Sequence, residues 1–314
     1  MIDGKEAPRC LLCGSELVPV LEGVQDTRFG LPGVYAIHGC RRCGLEHTLP
    51  RPSQPELNRL YEEHYNFGEV TGRSYRGLRR LLHSPLFYRL WLAIDGDVSF
   101  HARPGQGRLL DIGCNEGRGL ALYRANGFQA EGLELNGIAA AAARAGGFTV
   151  YEEPLETFQP AQPYDVIVMS NVLEHFLDIR QALADVRRLL AANGEVWISL
   201  PNNHSWLRRR FERAWINWHV PFHIVHFSPK TLIRALQESG FEIRKLKQVT
   251  PALWVAQTII ARLTARPGKV NGALRDPTLV VPLILLARGV LFPWLWLNNR
   301  LGFGDCLTVV ARKH

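Results

Sequence analysis

Segments typical of buried β-strands alternate with segments typical of helices between residues 108 and 250. The strand-like stretches are RLLDIGC, QAEGLELN, FTVYE, YDVIVMSN, EVWISLP and FEIRKLKQV. The clearest helix is DIRQALADVRRLLAANG, with Asp178 as its predicted N-cap and Gly194 as its predicted end. Parallel strands need crossover connections, which are usually helices. The alternation therefore predicts an α/β fold with a doubly wound, mostly parallel sheet.

The stretch LLDIGCNEGRG, residues 109–119, joins the first of these strands to a helix through a glycine-rich loop. Such loops typically hold nucleotide-like ligands. A P-loop needs Gly-Lys-Ser/Thr and a dinucleotide site needs G-x-G-x-x-G, whereas the glycines here stand at 113, 117 and 119. The carboxylate of Asp111 would repel a pyrophosphate and attract a cation. The loop therefore favours S-adenosylmethionine, which carries an ammonium and a sulfonium.

Residues 108–250 resemble the class I S-adenosylmethionine-dependent methyltransferases, which have a Rossmann-like fold. LLDIGCNEG, LETF, YDVIVMSNVLEHF and LLAANGEVWISLPN occur in the order of that family, and Glu134 follows Asp111 by 23 residues. The resemblance implies that Asp111 lies near the ammonium and that Glu134 accepts hydrogen bonds from the ribose hydroxyls. Asn115 stands where many members have glycine, and asparagine tolerates the left-handed conformation that glycine adopts there.

The same resemblance implies a set of cofactor-binding residues. LETF lies where the family contacts adenine, and the end of YDVIVMSNV would line the site. The predicted set is Asp111, Gly113, Cys114, Asn115, Gly117, Glu134, Leu135, Leu155, Glu156, Ser170, Asn171 and Val172.

Two Cys-x-x-Cys-Gly knuckles stand near the N-terminus, at Cys10 and Cys13 and at Cys40 and Cys43. The start, MIDGKEAPRC, has no apolar run typical of a secretory signal, so we expect a cytoplasmic protein with reduced thiols. Two knuckles supply the four sulfurs of a closed, structural zinc site. Strand-like stretches lie between them, so residues 1–50 are predicted to form a zinc ribbon.

The ribbon region adds a second resemblance. Residues 10–67 are similar to the N-terminal region of bacterial methyltransferases that modify sugars, cell-surface glycan intermediates and secondary metabolites. This likeness implies transfer to a hydroxyl or sugar carbon of a glycan, lipid-linked or secondary-metabolite intermediate. An RNA methyltransferase with a zinc module is an alternative that the net charge of +8 permits, and a binding module without catalysis is a second alternative.

A base must accept a proton when a hydroxyl or an activated carbon is methylated. NWHVPFHIVHFSP follows the fifth predicted strand of the core and carries His219, His223 and His226. Histidine suits this role near neutral pH. His223 is the first candidate, because the family resemblance places a histidine just before the Phe-Ser helix start, and His175 is a further candidate.

The remaining boundaries follow from composition. Residues 51–104 are predicted to be a helical linker or cap, with Ser53 capping its first helix, and residues 105–250 to be the methyltransferase core. A hydrophobic helical insertion, 251–300, precedes the final antiparallel strand, 301–314. Within it, residues 279–297 are apolar but contain Arg288 and two prolines, so we predict a broken helical cap that does not span a membrane. It would pack internally as a lid or rest peripherally on the bilayer surface.

Overall fold

The computed structural model describes residues 8–64, 92 and 96–314. The second predicted helical region, YRGLRRLLHSPLFYRLWLAI, lies almost entirely outside the described residues. The described strands are β1 (Leu17–Val24), β2 (Tyr35–Cys40), β3 (Glu46–Leu49), β4 (Gly107–Ile112), β5 (Phe128–Leu133), β6 (Val150–Tyr151), β7 (Tyr164–Ser170), β8 (Leu190–Pro201), β9 (Val225–His226), β10 (Phe241–Val249) and β11 (Cys306–Lys313). The described helices are α1 (Gln54–His64), α2 (Arg118–Ala125), α3 (Gly137–Ala145), α4 (Ile179–Leu189), α5 (Trp206–Phe211), α6 (Pro229–Glu238), α7 (Ala252–Thr264), α8 (Pro277–Gly289) and α9 (Phe292–Arg300).

Seven strands form the central sheet, in the order β10-β11-β8-β7-β4-β5-β6. β6, β5, β4, β7 and β8 pair in parallel, and β11 runs antiparallel between β8 and β10. The predicted α/β fold class is confirmed, including the antiparallel last strand. The chain reverses its strand order at β4, which places the carboxyl ends of β4, β5 and β7 around one crevice, where such folds bind their ligands.

Helix α4 covers one face of this sheet through Ile179, Leu183 and Val186, which are fully buried. Asp178 caps it by accepting hydrogen bonds from two backbone N–H groups, as predicted. The predicted helix end at Gly194 is wrong, because α4 ends at Leu189 and Gly194 lies inside β8. The pairing of β7 with β8 shifts register there, and a side chain at 194 would lie within 3.1 Å of the carbonyl oxygen of Tyr164. Glycine therefore serves a bulge at this point instead of a helix end.

A second, four-stranded sheet has the order β1-β2-β3-β9. The first three strands belong to the N-terminal ribbon, but β9 belongs to the loop that follows α5 in the core. Glu46 and His47 of β3 pair with His226 and Val225 of β9. The ribbon is thus joined edge to edge with the histidine-rich segment that the sequence analysis singled out.

The insertion before β11 folds into α7, a short 3₁₀ turn, α8 and α9. Among the described residues, no single helix is long and apolar enough to cross a membrane; α8 and α9 meet the length and composition criteria only as a pair bent by 67°. Eight large apolar side chains of this pair are exposed: Leu279, Leu285, Leu286, Val290, Phe292, Trp294, Trp296 and Leu297. The break agrees with the predicted interruption. Ala287 and Leu295 of the same pair are fully buried, so one face of the insertion packs internally while the other is exposed.

Candidate functional site

The loop after β4 has the backbone shape of a ligand cradle. Gly113, Asn115 and Gly117 all have left-handed φ values, of 73°, 52° and 78°. A side chain at Gly113 would lie 2.9 Å from Cγ2 of Val172, so only glycine leaves the backbone open there. Asn115 takes up the left-handed conformation expected of it, and its side-chain oxygen accepts a hydrogen bond from the N–H of Glu116 at 2.8 Å.

Glu134 follows β5 and lies beside this loop. Its Oε2 accepts the N–H of Asn115 at 2.9 Å and its Oε1 accepts the N–H of Asn136 at 2.8 Å. These two bonds fix the carboxylate in place while each oxygen keeps a further acceptor position. A carboxylate oriented in this way can accept hydrogen bonds from two adjacent hydroxyl groups, as the ribose of S-adenosylmethionine presents them.

Asp111 is buried near the end of β4, with 7% of its surface exposed. Burial, and next the negative charge of Glu134, raise the pKa of Asp111 to about 8. A cationic ligand would compensate for both effects, whereas an anionic one would add to them. The glycine cradle and these two carboxyls therefore fit S-adenosylmethionine better than a phosphate-bearing nucleotide.

Four other predicted cofactor residues have different surroundings. The Cys114 side chain packs into the core against Gly132, and burial raises the pKa of its thiol. Leu155 is also buried in the core, whereas Leu135 and Glu156 are exposed. A ligand bound at the loop could therefore contact Cys114 and Leu155 only through their backbone atoms.

The segment after β7 links the cofactor loop to the histidines. Ser170 bonds to the Ser199 hydroxyl at 3.0 Å, and the N–H of Asn171 donates to the Ser199 carbonyl at 2.8 Å. Val172 contacts the Gly113 position, and its carbonyl accepts the N–H of His175 at 3.1 Å. One short turn therefore runs from the cofactor cradle to His175.

Three of the four predicted catalytic histidines lie together beyond this turn. The rings of His175 and His223 are 4.6 Å apart, centroid to centroid, and Nδ1 of His219 lies 3.3 Å from Nε2 of His223. Tyr61 of α1 closes the group, with its hydroxyl 2.6 Å from Nδ1 of His175. Burial lowers the pKa of His175 to about 4 and the pKa values of His219 and His223 well below their usual range, so all three imidazoles are neutral.

His223 has a defined tautomer. Its Nδ1 lies 2.8 Å from the carbonyl oxygen of Asn217, and a carbonyl can only accept. The proton is therefore on Nδ1, and Nε2 presents a lone pair. The Asn217 side chain donates to buried Asp305 at 3.0 Å, which fixes this loop from the start of β11.

The side chain of His226 is directed toward the ribbon. Its Nε2 lies 3.0 Å from the hydroxyl of Thr48 in the ribbon, and its ring packs edge-on against Trp218. Burial lowers its pKa to about 3. The ring of His226 lies 6.4 Å from that of His223, centroid to centroid, so His226 sits at the edge of the histidine group and bonds to the ribbon.

Glu174 was not among the predicted site residues, yet it lies at the centre of this group. It is 1% exposed, and its Oε1 is 3.9 Å from Nε2 of His223. Burial raises the pKa of Glu174 to about 8. An acid placed directly before a histidine at the end of a buried strand was the available signal. Tyr61 and Asp305 gave no local signal, because they come from distant parts of the chain, whereas Asn217 lies in the quoted segment NWHVPFHIVHFSP.

The four ribbon cysteines converge as predicted, with all four Sγ atoms within 4.8 Å of one another. Gly14 and Gly44 take left-handed φ values of 70° and 81°, which close the two knuckles. A hydrogen bond from the Cys43 thiol lowers the pKa of Cys10 to about 3 and raises that of Cys43. All six cysteines are free thiols. The spacing and chemistry of these four donors fit a tetrahedral zinc ion.

A family model described as "Methyltransferase domain" matches residues 89–246, which is half of the 314 residues. No curated protein sequence matches the chain.

Among solved structures, the chain is similar to an S-adenosylmethionine-dependent methyltransferase from Thermotoga maritima, with 18% identity, a TM-score of 0.48, and coverage of 82% of this chain and 100% of that one. A methyltransferase from Mesorhizobium loti has 19% identity, a TM-score of 0.44, and coverage of 74% and 100%. The 1,6-didemethyltoxoflavin-N1-methyltransferase of Burkholderia thailandensis has 16% identity, a TM-score of 0.45, and coverage of 89% and 95%. The matched residues contain β4 to β9, the glycine cradle and the turn after β7, and the chain therefore belongs to the methyltransferase-domain family and is an S-adenosylmethionine-dependent methyltransferase.

Proposed function

We propose that this enzyme methylates a hydroxyl oxygen, or an activated sugar carbon, of a glycan, lipid-linked or secondary-metabolite intermediate. The observation that carries the proposal is the group of neutral imidazoles one turn away from the cofactor cradle. When bound, S-adenosylmethionine supplies a methyl group on a sulfonium, which needs no further activation. The protein has to position the acceptor and remove its proton.

The cofactor would be held by the cradle from Gly113 to Gly117 and by two carboxyls. Glu134 would accept hydrogen bonds from the ribose hydroxyls, and Asp111 would face the ammonium. Ser170, Asn171 and Val172 would line the side of the site that leads to the acceptor. Leu155 and Glu156 would border the adenine, with Leu155 contributing through its backbone.

The acceptor would bind beside His175, which is partly exposed, above the buried His223. Its oxygen would lose a proton to this histidine group and form a bond to the methyl carbon as the bond from that carbon to sulfur breaks. The lone pair on Nε2 of His223, which is directed into the group, supports this assignment. His226 would act indirectly, by holding the loop against the ribbon.

We further propose that Cys10, Cys13, Cys40 and Cys43 bind one structural zinc ion. A closed four-sulfur site leaves no position for a substrate. Its effect on catalysis would come through β3, because that strand pairs with β9 and contacts the histidine loop. The zinc would thus keep the ribbon rigid enough to hold the loop in place.

The exposed apolar face of α8 and α9 supports a peripheral membrane contact, which would suit a lipid-linked acceptor. Trp294 and Trp296 are amphipathic side chains typical of bilayer interfaces, and the Arg300 guanidinium lies 4.8 Å from the Trp296 ring centroid. This contact would keep the acceptor pocket close to the headgroup region.

Transfer of a labelled methyl group tests the function. The protein and S-adenosylmethionine labelled in its methyl group are incubated with a bacterial extract, which is then separated into small-molecule, lipid and RNA fractions. We expect label in the small-molecule or lipid fraction on an oxygen or sugar carbon, and about 10²–10⁴-fold less label with His223→Ala. The Glu63→Gln variant, changed at an exposed position of α1, is the matched control. Label confined to RNA would contradict the proposal.

A further inference from the structure

Three side chains at the centre of the histidine group form a set of metal-ligating atoms. Glu174, His175 and His223 each offer one such atom, and these atoms lie within 4.8 Å of one another. We infer that Glu174, His175 and His223 bind a divalent transition-metal cation at the acceptor side of the site. This ion would be distinct from the zinc of the ribbon. The binding of this ion does not depend on the proposed function, whereas its catalytic role rests on that function.

The carboxyl group of Glu174 is buried without a hydrogen-bond partner among the described residues. It is 1% exposed, and within the described part of the chain neither carboxylate oxygen has a hydrogen-bond partner. A buried carboxyl without a partner is unfavourable unless something binds it. The neighbouring acceptor Oδ1 of Asn171 is also buried without a partner among the described residues. Three unsatisfied oxygen atoms, from two side chains of one short turn, are what a cation or a strong donor would satisfy.

The Nε2 atom of His223 is oriented so that it could bind a metal ion. Its Nδ1 donates to the carbonyl oxygen of Asn217, so the lone pair of Nε2 is directed into the group, where Glu174 Oε1 lies 3.9 Å away. Metal-binding histidines commonly donate their other N–H to a carbonyl or carboxylate in this way. The contact from His219 competes for the same lone pair, and a small rotation of the His219 ring would release it.

The composition of the set indicates the class of ion. Two imidazoles and one carboxylate suit Zn²⁺, Fe²⁺, Co²⁺ or Mn²⁺ better than Ca²⁺ or Mg²⁺, which prefer oxygen ligands. Three protein ligands leave coordination positions open, unlike the four sulfurs of the ribbon. His175 is the partly exposed member, so the open positions would face the side from which an acceptor arrives. A hydroxyl bound there would lose its proton more readily. His223 would then act as a ligand, and His219 would be the imidazole left to accept that proton.

Cobalt binding tests the inference without any acceptor. Protein purified with its ribbon zinc in place is titrated with Co²⁺, followed by absorption spectroscopy and calorimetry. We expect one Co²⁺ per chain with a spectrum that lacks thiolate-to-metal charge-transfer bands, because the ligands are nitrogen and oxygen. Glu174→Gln should weaken binding by at least about a hundredfold while S-adenosylmethionine affinity and the ribbon zinc are retained. Glu63→Gln is the control, and it should bind Co²⁺ like the unaltered protein.

Two results would overturn the inference: no binding of Co²⁺ to the zinc-loaded protein, or undiminished Co²⁺ binding in Glu174→Gln. If Glu174→Gln does not fold, His175→Gln provides the same test at a partly exposed position. The proposed function fails separately, when Co²⁺ binds as expected but label from the methyl donor appears only in RNA. Full methyl transfer after selective removal of this second ion would leave the function intact and overturn the catalytic role of the ion.

Discussion

The hydroxyl of Thr48, in the third strand of the N-terminal ribbon, donates a 2.6 Å hydrogen bond to the backbone carbonyl of His223 in the core. The same oxygen lies 3.0 Å from Nε2 of His226, and the Thr48 N–H donates to the carbonyl of Ile224 at 3.0 Å. A strand that the sequence assigned to a separate zinc module thus fixes the loop that carries the candidate catalytic histidines. The ribbon therefore borders the candidate acceptor side of the site.

Thr48→Val tests this link. Valine keeps the strand propensity and nearly the same volume but removes the buried hydroxyl, leaving its partners unsatisfied at a cost of about 1–3 kcal/mol. We expect lower turnover with unchanged affinity for S-adenosylmethionine, because the change lies on the acceptor side. Thr308→Val, at a buried strand position with only a 3.5 Å contact, is the control. Equal turnover in both variants would show that the ribbon does not position the loop.

Cys40→Ser should release the ribbon zinc, since oxygen is a poorer ligand than a thiolate. Metal analysis should give about one zinc per chain in the unaltered protein and much less in the variant. Hydrogen exchange should accelerate in β3 and in residues 219–227, whereas S-adenosylmethionine binding should persist. Cys306→Ala removes a buried thiol outside the cluster and should leave the zinc content unchanged. A protein that contains no zinc after careful purification would refute the site.

Glu134→Ala should weaken S-adenosylmethionine binding by about 1.5–3 kcal/mol, or about tenfold to a hundredfold. The variant loses the acceptor for the ribose hydroxyls and also frees the N–H groups of Asn115 and Asn136, which shape the loop. Calorimetry measures the effect. Glu131→Gln, on the strand that precedes Glu134, is the control, because its side chain binds Arg108 and Tyr164 instead of the cradle. Unchanged affinity in Glu134→Ala would mean that the cofactor binds elsewhere.

Asp111 predicts a pH dependence of cofactor binding. With a pKa of about 8, its carboxyl is largely protonated at pH 7 in the ligand-free protein. A cationic ligand lowers that pKa, so binding releases a proton and affinity should rise as the pH increases from about 6 to about 8. Calorimetry in two buffers of different ionisation enthalpy detects the released proton. Asp111→Asn, which cannot ionise, should remove the dependence; a buffer-independent enthalpy in the unaltered protein would argue against this role.

Phe292 and Trp296 test the membrane contact. Replacing both exposed residues by serine should reduce co-sedimentation with vesicles of phosphatidylethanolamine and phosphatidylglycerol, because apolar area and an aromatic anchor are lost. Turnover on a water-soluble acceptor should stay the same. Val34→Ser and Val270→Ser, at exposed apolar positions outside α8 and α9, provide the matched control. If all variants co-sediment equally with the vesicles, the exposed face of α8 and α9 does not bind membranes.

The sequence by itself determined the sheet, the glycine-rich loop and the cysteine knuckles, because each depends on local patterns. Alternating strand and helix periodicity requires a parallel sheet, and glycines at 113 and 117 beside Asp111 specify a cradle for a cationic ligand. Each Cys-x-x-Cys-Gly turn positions two sulfurs through residues that are adjacent in the chain. Such features are encoded within about ten residues, so they can be recognised without knowing the rest of the fold.

Only the tertiary structure decided which side chains meet at the acceptor side. Glu174 and His223 are 49 positions apart, and Thr48, Tyr61 and Asp305 reach the same group from the ribbon, α1 and the start of β11. No short-range pattern links them. The sequence placed His219, His223 and His226 in one short segment and the family resemblance favoured His223, whereas the pairing of β9 with β3 directs His226 toward Thr48. Which of several equivalent residues faces a site is set by packing between distant segments, and that information exists only once the chain has folded.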